Sequence, residues 1–385
     1  MPDPASVIIG DAGVPGSATS VRILLAPDKF RGTFTAAQVC DLLARGLRDA
    51  DPSLEIRSLP LADGGEGTLD AILSATGGSR IPVAARGALG APVPDAVYGL
   101  TTGGIAVIES ALICGLCMIP EGARDPLRAS SVGLGDVVRA ALDAGALDVM
   151  IGLGGTATVD GGLGMALALG YSFEEPAEGC LVSVIRADDA HAGIPAARFT
   201  SLCDVASPLL GAQGAAAVFG PQKGADHQDV MILEMRLSAL AAAIQAWNGE
   251  DVRALPRGGA AGGLGAGTAA FLGARLVGGA DIVMDLLDFH GALESCEVVV
   301  TGEGSLDAQT APGKVVPSVL GKAAHLARPT AVVVGRWDGS LPAARPKITK
   351  VFDRKDVTNA SHMRSEDLVE AGRLIAAWSR NPESH

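Results

Sequence analysis

The stretch Val298-Val-Val-Thr-Gly-Glu-Gly-Ser-Leu-Asp-Ala-Gln-Thr310 decides the fold. Three consecutive valines predict a strand buried on both faces, as in a parallel sheet. The strand is expected to stop at Thr301-Gly302-Glu303-Gly304, where glycines let backbone N–H groups approach a ligand with no Cβ in the way. Glu303 and Asp307 then put carboxylates on the loop at the strand's carboxyl end, the edge where open α/β sheets bind ligands. Ile56-Arg-Ser-Leu-Pro-Leu-Ala-Asp-Gly-Gly-Glu-Gly67 repeats the construction. A turn needs glycine but needs no acid beside it, so the pair points to a site rather than to two turns.

Outward from these loops the chain alternates strand and helix. Val21 to Pro27 is a strand, and Thr35 is the N-cap of a helix carrying Val39, Leu42, Leu43 and Leu47 at helical spacing. Ile56 to Leu61 is the second strand, and a helix starts at Thr68. After Gly77-Gly78 the character changes: short strand-like pieces among Pro82, Pro92 and Pro94, then strands at Ile105–Ser110 and Val149–Leu153 and a short one at Leu202–Val205. Helices are predicted over Ser131–Ala144 and Met231–Trp247, and a glycine-dense loop at 258–267 leads into a helix at Thr268. From Ile282 the alternation returns: a helix to Ser295, the Val298 strand, a helix near 314–327, strands at Thr330–Val334 and Thr349–Phe352, and a helix at Leu368–Trp378. This run predicts an α/β fold: a five-stranded doubly wound parallel-sheet domain with a second α/β domain inserted into it. The expected division is a flexible polar extension at 1–20, a first domain from 21–79 plus 283–385, an insert at 80–282, and the active site in the cleft between them. The Val149 strand suits either sheet.

Composition narrows the function. The 385 residues carry a net charge of −13 and only 3% aromatic residues. That argues against phosphate-backbone binding and against base-stacking platforms, so no nucleic-acid partner is expected. Hydrophobic content of 48% supports a large core, and 51 glycines are about twice ordinary usage. No run of eighteen apolar residues predicts a membrane span, and the first 20 residues hold no Lys or Arg to start a secretory signal. A cytoplasmic protein is expected. Six scattered cysteines do not form a disulfide framework, and Cys114-Gly-Leu-Cys117 reads as a buried structural pair because no second pair follows.

Several constellations carry chemistry. The acidic glycine loops suit Mg²⁺, which takes a few carboxylates plus waters and phosphates. Gly154-Gly-Thr-Ala-Thr158 before a helix offers N–H groups to an anion, or simply packs closely against a strand. Asp160 beside Gly161-Gly162 reads equally as a metal ligand or a helix N-cap. Lys29, Arg31, Lys223 and Lys314 lie in or beside glycine-containing loops, where cations suit phosphate or carboxylate. No Walker P-loop is present. Gly152-Leu-Gly-Gly-Thr-Ala157 and Gly263-Leu-Gly-Ala-Gly267 touch the dinucleotide glycine pattern without its first-strand context.

Taken in order, these segments resemble the type I glycerate kinases, bacterial enzymes that transfer a phosphoryl group from ATP to D-glycerate. The resemblance runs from about Val21 to Val334. It rests on Ala26-Pro-Asp-Lys-Phe-Arg-Gly32, Ala62-Asp-Gly-Gly-Glu-Gly-Thr68, Gly152-Leu-Gly-Gly-Thr-Ala-Thr158 with Asp160-Gly-Gly162, and Cys203-Asp-Val205. It continues in Phe219-Gly-Pro-Gln-Lys-Gly224, Gly262-Gly-Leu-Gly-Ala-Gly267 and Thr301-Gly-Glu-Gly-Ser-Leu-Asp307 with Gln309-Thr310. The chain departs from the family pattern at Arg31, Val159, Ser305, Ala308 and Ala311-Pro312, and in Gly335-Arg-Trp-Asp-Gly339.

The resemblance implies a flavodoxin-like domain with an inserted α/β domain, and a kinase using ATP and Mg²⁺ with D-glycerate as acceptor. The 2-phosphoglycerate product is favoured over 3-phosphoglycerate. Asp63, Glu66, Glu303 and Asp307 are assigned to Mg²⁺ and its waters. Asp204 is the expected base for the glycerate hydroxyl, with Asp160 second. Lys29, Arg31 and Lys223 would hold the glycerate carboxylate and the transferring phosphate, with Asp28, Asp63, Gly64, Gly65 and Glu66 completing the substrate loops. Gly154, Gly155, Thr156, Thr158, Gly263, Gly265, Gly302, Gly304 and Lys314 would cradle the nucleotide. A homodimer is one option for the assembly. The competing readings are a nicotinamide-dependent oxidoreductase and a fold relative that binds nucleotide or small acids without turnover.

Overall fold

The computed structural model describes residues 20–174, 182, 184–187, 190, 193–306, 314–357 and 363–384. The N-terminal extension, Cys180, Asp307 and the departures at Ala308 and Ala311-Pro312 therefore lie outside the described residues.

The fold is mixed α/β, built on two large sheets, with two small two-stranded ribbons beside them. The first has five parallel strands in the order Thr349–Asp353, Thr330–Trp337, Val298–Leu306, Arg22–Leu25, Glu55–Ser58. Its valine run behaves as its composition demands. Val298 and Val300 join Ile23 and Leu25 on one face, against Val39, Leu43 and Leu47 of helix Ala36–Ala50 and Leu368 and Ile375 of helix Ser365–Ser379. Val299 and Leu24 face the other way, toward Val283, Val315 and Val319. Thr35 caps the first helix through a capping box with Gln38.

The second sheet has six strands in the order Arg275–Val277, Arg198–Leu202, Asp148–Gly152, Ile105–Glu109, Val97–Thr101, Gly78–Pro82. The first four of these pair in parallel and the last two join antiparallel, so this sheet is mixed. The Val149 strand belongs here, between Ile105–Glu109 and Arg198–Leu202. Helices Thr68–Thr76 and Gly279–Leu286 lie between the sheets. Leu69, Ile72, Ala280 and Val283 share one core with Leu24 of the first sheet and Val107 of the second.

Several boundaries differ from the sequence reading. The Val298 strand does not stop at Thr301 but runs to Leu306, because its neighbour runs on to Trp337 and pairs with it through Glu303–Val334 and Ser305–Arg336. Strand Arg198–Leu202 ends before Asp204, which lies on the following loop. The helix expected from Ile282 to Ser295 is two helices, Gly279–Leu286 and Phe289–Glu294, broken where Asp288 turns left-handed (φ 49°) and caps the second. The stretch at 258–267 divides: Ala261, Gly262 and Gly263 are left-handed and interrupt the helix Ala260–Leu272, so the continuous helix starts at Leu264, ahead of the expected Thr268. Cys114 is buried as expected, but Cys117 is exposed, its Sγ 3.4 Å from Glu66 Oε1.

Helix His227–Asn248 is long and apolar enough by composition to cross a membrane. In this fold Leu233, Leu237, Leu240 and Ile244 bury one side of it in the core of the second sheet.

Candidate active site

The first sheet's strands deliver their loops to one cavity of about 500 Å³. Asp28, Lys29 and Arg31 come from the loop after Arg22–Leu25, and Asp63 from the loop after Glu55–Ser58. Glu303, Gly304 and Ser305 come from the long strand, and Lys314 from the N-cap of helix Val315–His325. Asp204 enters from the second sheet. Carboxylates and cations thus converge from loops distant in sequence, at the edge where α/β sheets bind ligands.

The electrostatics are those of a crowded, largely dry cluster. Lys29 Nζ lies 3.6 Å from Asp28 Oδ1 and 3.4 Å from Asp63 Oδ1. Asp63 Oδ1 also accepts from Gly65 N at 3.2 Å. Burial opposes ionisation of Asp63, but Lys29 and the Gly65 N–H outweigh it and hold this carboxyl below its ordinary value. Asp28 is pushed up to about 7, first by burial and then by the charge of Asp63, against the pull of Lys29. Asp204 is pushed up to about 6 for the same two reasons. Lys29 is driven above its ordinary value, because the two carboxylates outweigh the burial that works against its charge. One firmly ionised carboxylate therefore sits beside two that titrate near neutrality, a separation that suits acid–base work.

The second sheet closes one side. Gly154 N donates to Gly64 O at 3.1 Å, and a Cβ on Gly154 would lie 2.6 Å from Gly65 Cα. Glu109, 2% exposed, accepts from Gly67 N and Leu69 N at 3.0 Å each. An acid of the second sheet thereby caps the helix that follows the first acidic glycine loop.

The sequence-predicted residues divide. Asp28, Lys29, Arg31, Asp63, Asp204, Glu303, Gly304 and Lys314 share the cavity, and Gly64 and Gly65 form the turn that carries Asp63. Gly302 lies one residue before Glu303 on the same strand, with Asp28 N donating to its carbonyl at 2.9 Å. Glu66 faces a neighbouring cavity of about 330 Å³, which has Lys29, Arg31 and Thr33 in common with the first. Asp160 lines a third cavity instead. There it accepts from Ser131 N, Ser131 Oγ and Gly164 N through Oδ2 and from Gly162 N through Oδ1, so its hydrogen-bonding capacity is spent on two helix starts. Lys223 is buried and donates to Thr158 O at 2.8 Å and Thr156 Oγ1 at 3.4 Å, which ties down the 154–158 loop from behind. Burial pushes Lys223 down to about 8. Gly263 and Gly265 pack backbone on backbone: a Cβ on Gly263 would lie 3.0 Å from Gly161 Cα, and one on Gly265 2.3 Å from Arg257 O. The glycines of the 263–267 string are thus packing glycines.

Among the described residues no group of three or more His, Cys, Asp and Glu side chains is arranged to hold a metal ion. That donor set does not make an all-protein cage. It does fit Mg²⁺, which keeps several waters and is commonly bound through one or two carboxylates plus substrate phosphates.

Sequence reasoning missed Glu109, Arg336 and Arg354. Arg336 reaches the cavity only because the Thr330 strand continues past Val334. Arg354 lines the same wall, with Nε donating to Gly335 O at 3.2 Å. The unusual Gly335-Arg-Trp-Asp-Gly339 segment was the available signal for the first.

A cavity of opposed carboxylates and cations at strand ends suits phosphoryl transfer to a small molecule, which needs positioning and charge neutralisation. Comparison with known proteins makes this specific: the chain belongs to the Glycerate kinase family, which matches residues 23–379. It is 39% identical to the glycerate kinase of Halalkalibacterium halodurans, across 93% of this chain and 99% of that one. It is 37% identical to the glycerate 2-kinase of Escherichia coli K12, across 82% of this chain and 85% of that one. A crystal structure named for a glycerate kinase 2 of Salmonella typhimurium LT2 superposes with a TM-score of 0.79 at 35% identity, covering 95% of this chain and 100% of the other. The enzyme is a kinase that phosphorylates glycerate.

Proposed function

We propose that the chain transfers the γ-phosphoryl group of ATP to the 2-hydroxyl of D-glycerate, with Asp204 as the base. The observation that carries this reading is the shared cavity of Asp204, Asp63, Lys29 and Lys314, with Asp204 buried enough to titrate at about 6. At neutral pH its carboxylate is ionised yet basic enough to take a proton. The glycerate hydroxyl oxygen attacks the γ-phosphorus, its proton passes to Asp204, and the bond to the bridging oxygen breaks to release ADP. Lys29, Arg31 and Lys314 neutralise the glycerate carboxylate and the phosphate oxygens. Mg²⁺, when bound with the nucleotide, neutralises charge on the phosphates, and Asp63 and Glu303 would hold it or its waters. The name of the Escherichia coli relative favours the 2-hydroxyl. The glycine loop at 154–158, held from behind by Lys223, is the proposed nucleotide side of the cleft.

In this reading residues 21–79 with 283–385 form a doubly wound, flavodoxin-like domain, residues 80–282 form the insert, and the site is the cleft between them. Apolar clusters on both faces of the five-stranded sheet support that division. The enzyme works in the cytoplasm on small molecules.

Asp204→Asn tests the assignment. Turnover falls by about 10²–10⁴-fold while ATP binding by calorimetry is kept. A rate per folded molecule within about tenfold of wild type removes Asp204 as the base. Phosphorus NMR of the product identifies the hydroxyl.

A further inference from the structure

Asp204 sits on an irregular loop, and something must hold that loop. Arg257, which is not among the residues lining the cavity, does so. Its Nη1 donates to Cys203 O at 2.8 Å and to Val205 O at 3.4 Å, the carbonyls just before and just after Asp204. Its backbone N–H donates to Ala206 O at 3.3 Å, and Gly259 N donates to Ser207 O at 2.9 Å. Four carbonyls of the 203–207 segment are thus gripped by 257–259. The grip is itself anchored: Ala260 N donates to Arg257 O, and a Cβ on Gly265 would lie 2.3 Å from that oxygen.

Arg257 is also left-handed, with φ 68°. That conformation suits glycine and is uncommon for a long side chain. Glycines follow at 258 and 259, yet the strained position carries the arginine, whose only distinctive contribution is the guanidinium. Backbone strain held in place by packing is a pointer to function when a specific contact accompanies it. Asp204 lines the cavity and Arg257 does not.

We propose that Arg257 is the positioning residue of the phosphoryl-transfer site, acting only through Asp204. The proposal rests on the reading of Asp204 as the base. One nitrogen, Nη1, donates to the carbonyls on either side of Asp204, and holding both fixes the height and the direction of the side chain between them. Misplacing a reacting group by about 1 Å is enough to cost on the order of 10²-fold in rate.

The test uses Arg257→Gly and Arg257→Lys in the full chain, with ATP, Mg²⁺ and D-glycerate. Glycine suits the left-handed backbone, which offsets part of the two lost hydrogen bonds, so this variant folds with a thermal midpoint within about 5 °C of wild type. We expect its kcat to fall about 10- to 100-fold, with KM for ATP and for glycerate within about threefold. Added guanidinium ion at tens of millimolar, roughly, restores part of the rate, since it supplies the missing donor. Arg257→Lys falls between the two. Asp204→Asn with Arg257→Gly is no slower than Asp204→Asn alone, because residues acting as a unit are non-additive. A kcat for Arg257→Gly within about threefold of wild type, or losses that multiply in the double variant, overturns the proposal. If Asp204→Asn is inactive and Arg257→Gly is fully active, the positioning role alone fails. If Asp204→Asn is itself active, the base assignment fails first.

Discussion

Asp63-Gly-Gly-Glu-Gly67 and Gly302-Glu-Gly304 read alike and fold differently. The first is a sharp turn opening a helix: Gly64 and Gly67 are left-handed, at φ 96° and 90°. The second lies inside a straight strand paired with its neighbour as far as Leu306. In the turn, glycine serves the backbone conformation and the approach of the second sheet, since a Cβ on Gly64 would lie 2.7 Å from Leu202 O. In the strand, glycine serves only the approach of its neighbour: a Cβ on Gly302 would lie 2.2 Å from Val333 O, with no unusual φ. The acids differ accordingly. Asp63 is held by Lys29 and by its own turn, whereas Glu303 is presented by a rigid ladder. The same short pattern can therefore arise from two constraints, and only the pairing partners distinguish them.

Substitution separates the two. Gly64→Ala combines strain with backbone overlap beside the loop that carries Asp204. It should cost about 3 kcal/mol or more and lower turnover of the folded fraction about 10²-fold, read by chemical denaturation and steady-state rate. Gly302→Ala has overlap without strain. About 2 kcal/mol is expected, with the folded fraction active within about tenfold; an equal loss of rate in both variants would erase the distinction.

The acids give a subtler contrast. Asp204 must be ionised to act as a base, so the rate should rise as pH passes about 6. The charge of Asp63 helps to raise Asp204, so Asp63→Asn should move this rise to lower pH in the residual activity. Glu303→Gln should leave it in place. The same raised values affect stability. A carboxyl raised on folding contributes stability that is complete below its unfolded value and is lost as pH climbs through its folded one. For Asp28 and Asp204 that window runs from about 4 to about 7. Asp204→Asn should therefore melt higher than wild type at pH 8, and the gain should vanish near pH 4. The smallest effects are expected at the outer glycines. Gly67→Ala has open space but a left-handed backbone and should cost about 1 kcal/mol. Gly304→Ala meets nothing closer than 3.4 Å and should stay within about 0.5 kcal/mol in a melting experiment.

Local signals made much of this molecule readable. The valine run, the Thr35 cap, and the acids and cations beside glycines depend on residues a few positions apart, and they led to Lys29 and Asp63, while Asp28 and Asp204 came with the resemblance to the glycerate kinases. The unread features depend on partners far away in sequence. The length of the Val298 strand is set by residues 334–337, and the extra turn of sheet brings Arg336 into the cavity. Asp160 had equal claims as ligand and cap until helix Val132–Asp143 supplied its donors. Arg257 carries no motif at all; its importance is a matter of which carbonyls lie beneath it.

Glu109 has a mechanical meaning. Its carboxylate satisfies two N–H groups at the start of helix Thr68–Thr76, whose Leu69 and Ile72 share one core with Val107 of the second sheet and Leu24 of the first. Pulling the sheets apart would open that shared core to water, at about 1.5–3 kcal/mol for each large aliphatic side chain exposed. The two sheets are thus joined through one core and are not independent in thermodynamics. The chain should unfold in a single cooperative transition, and substrate access falls to loop motion rather than to a hinge between two rigid halves.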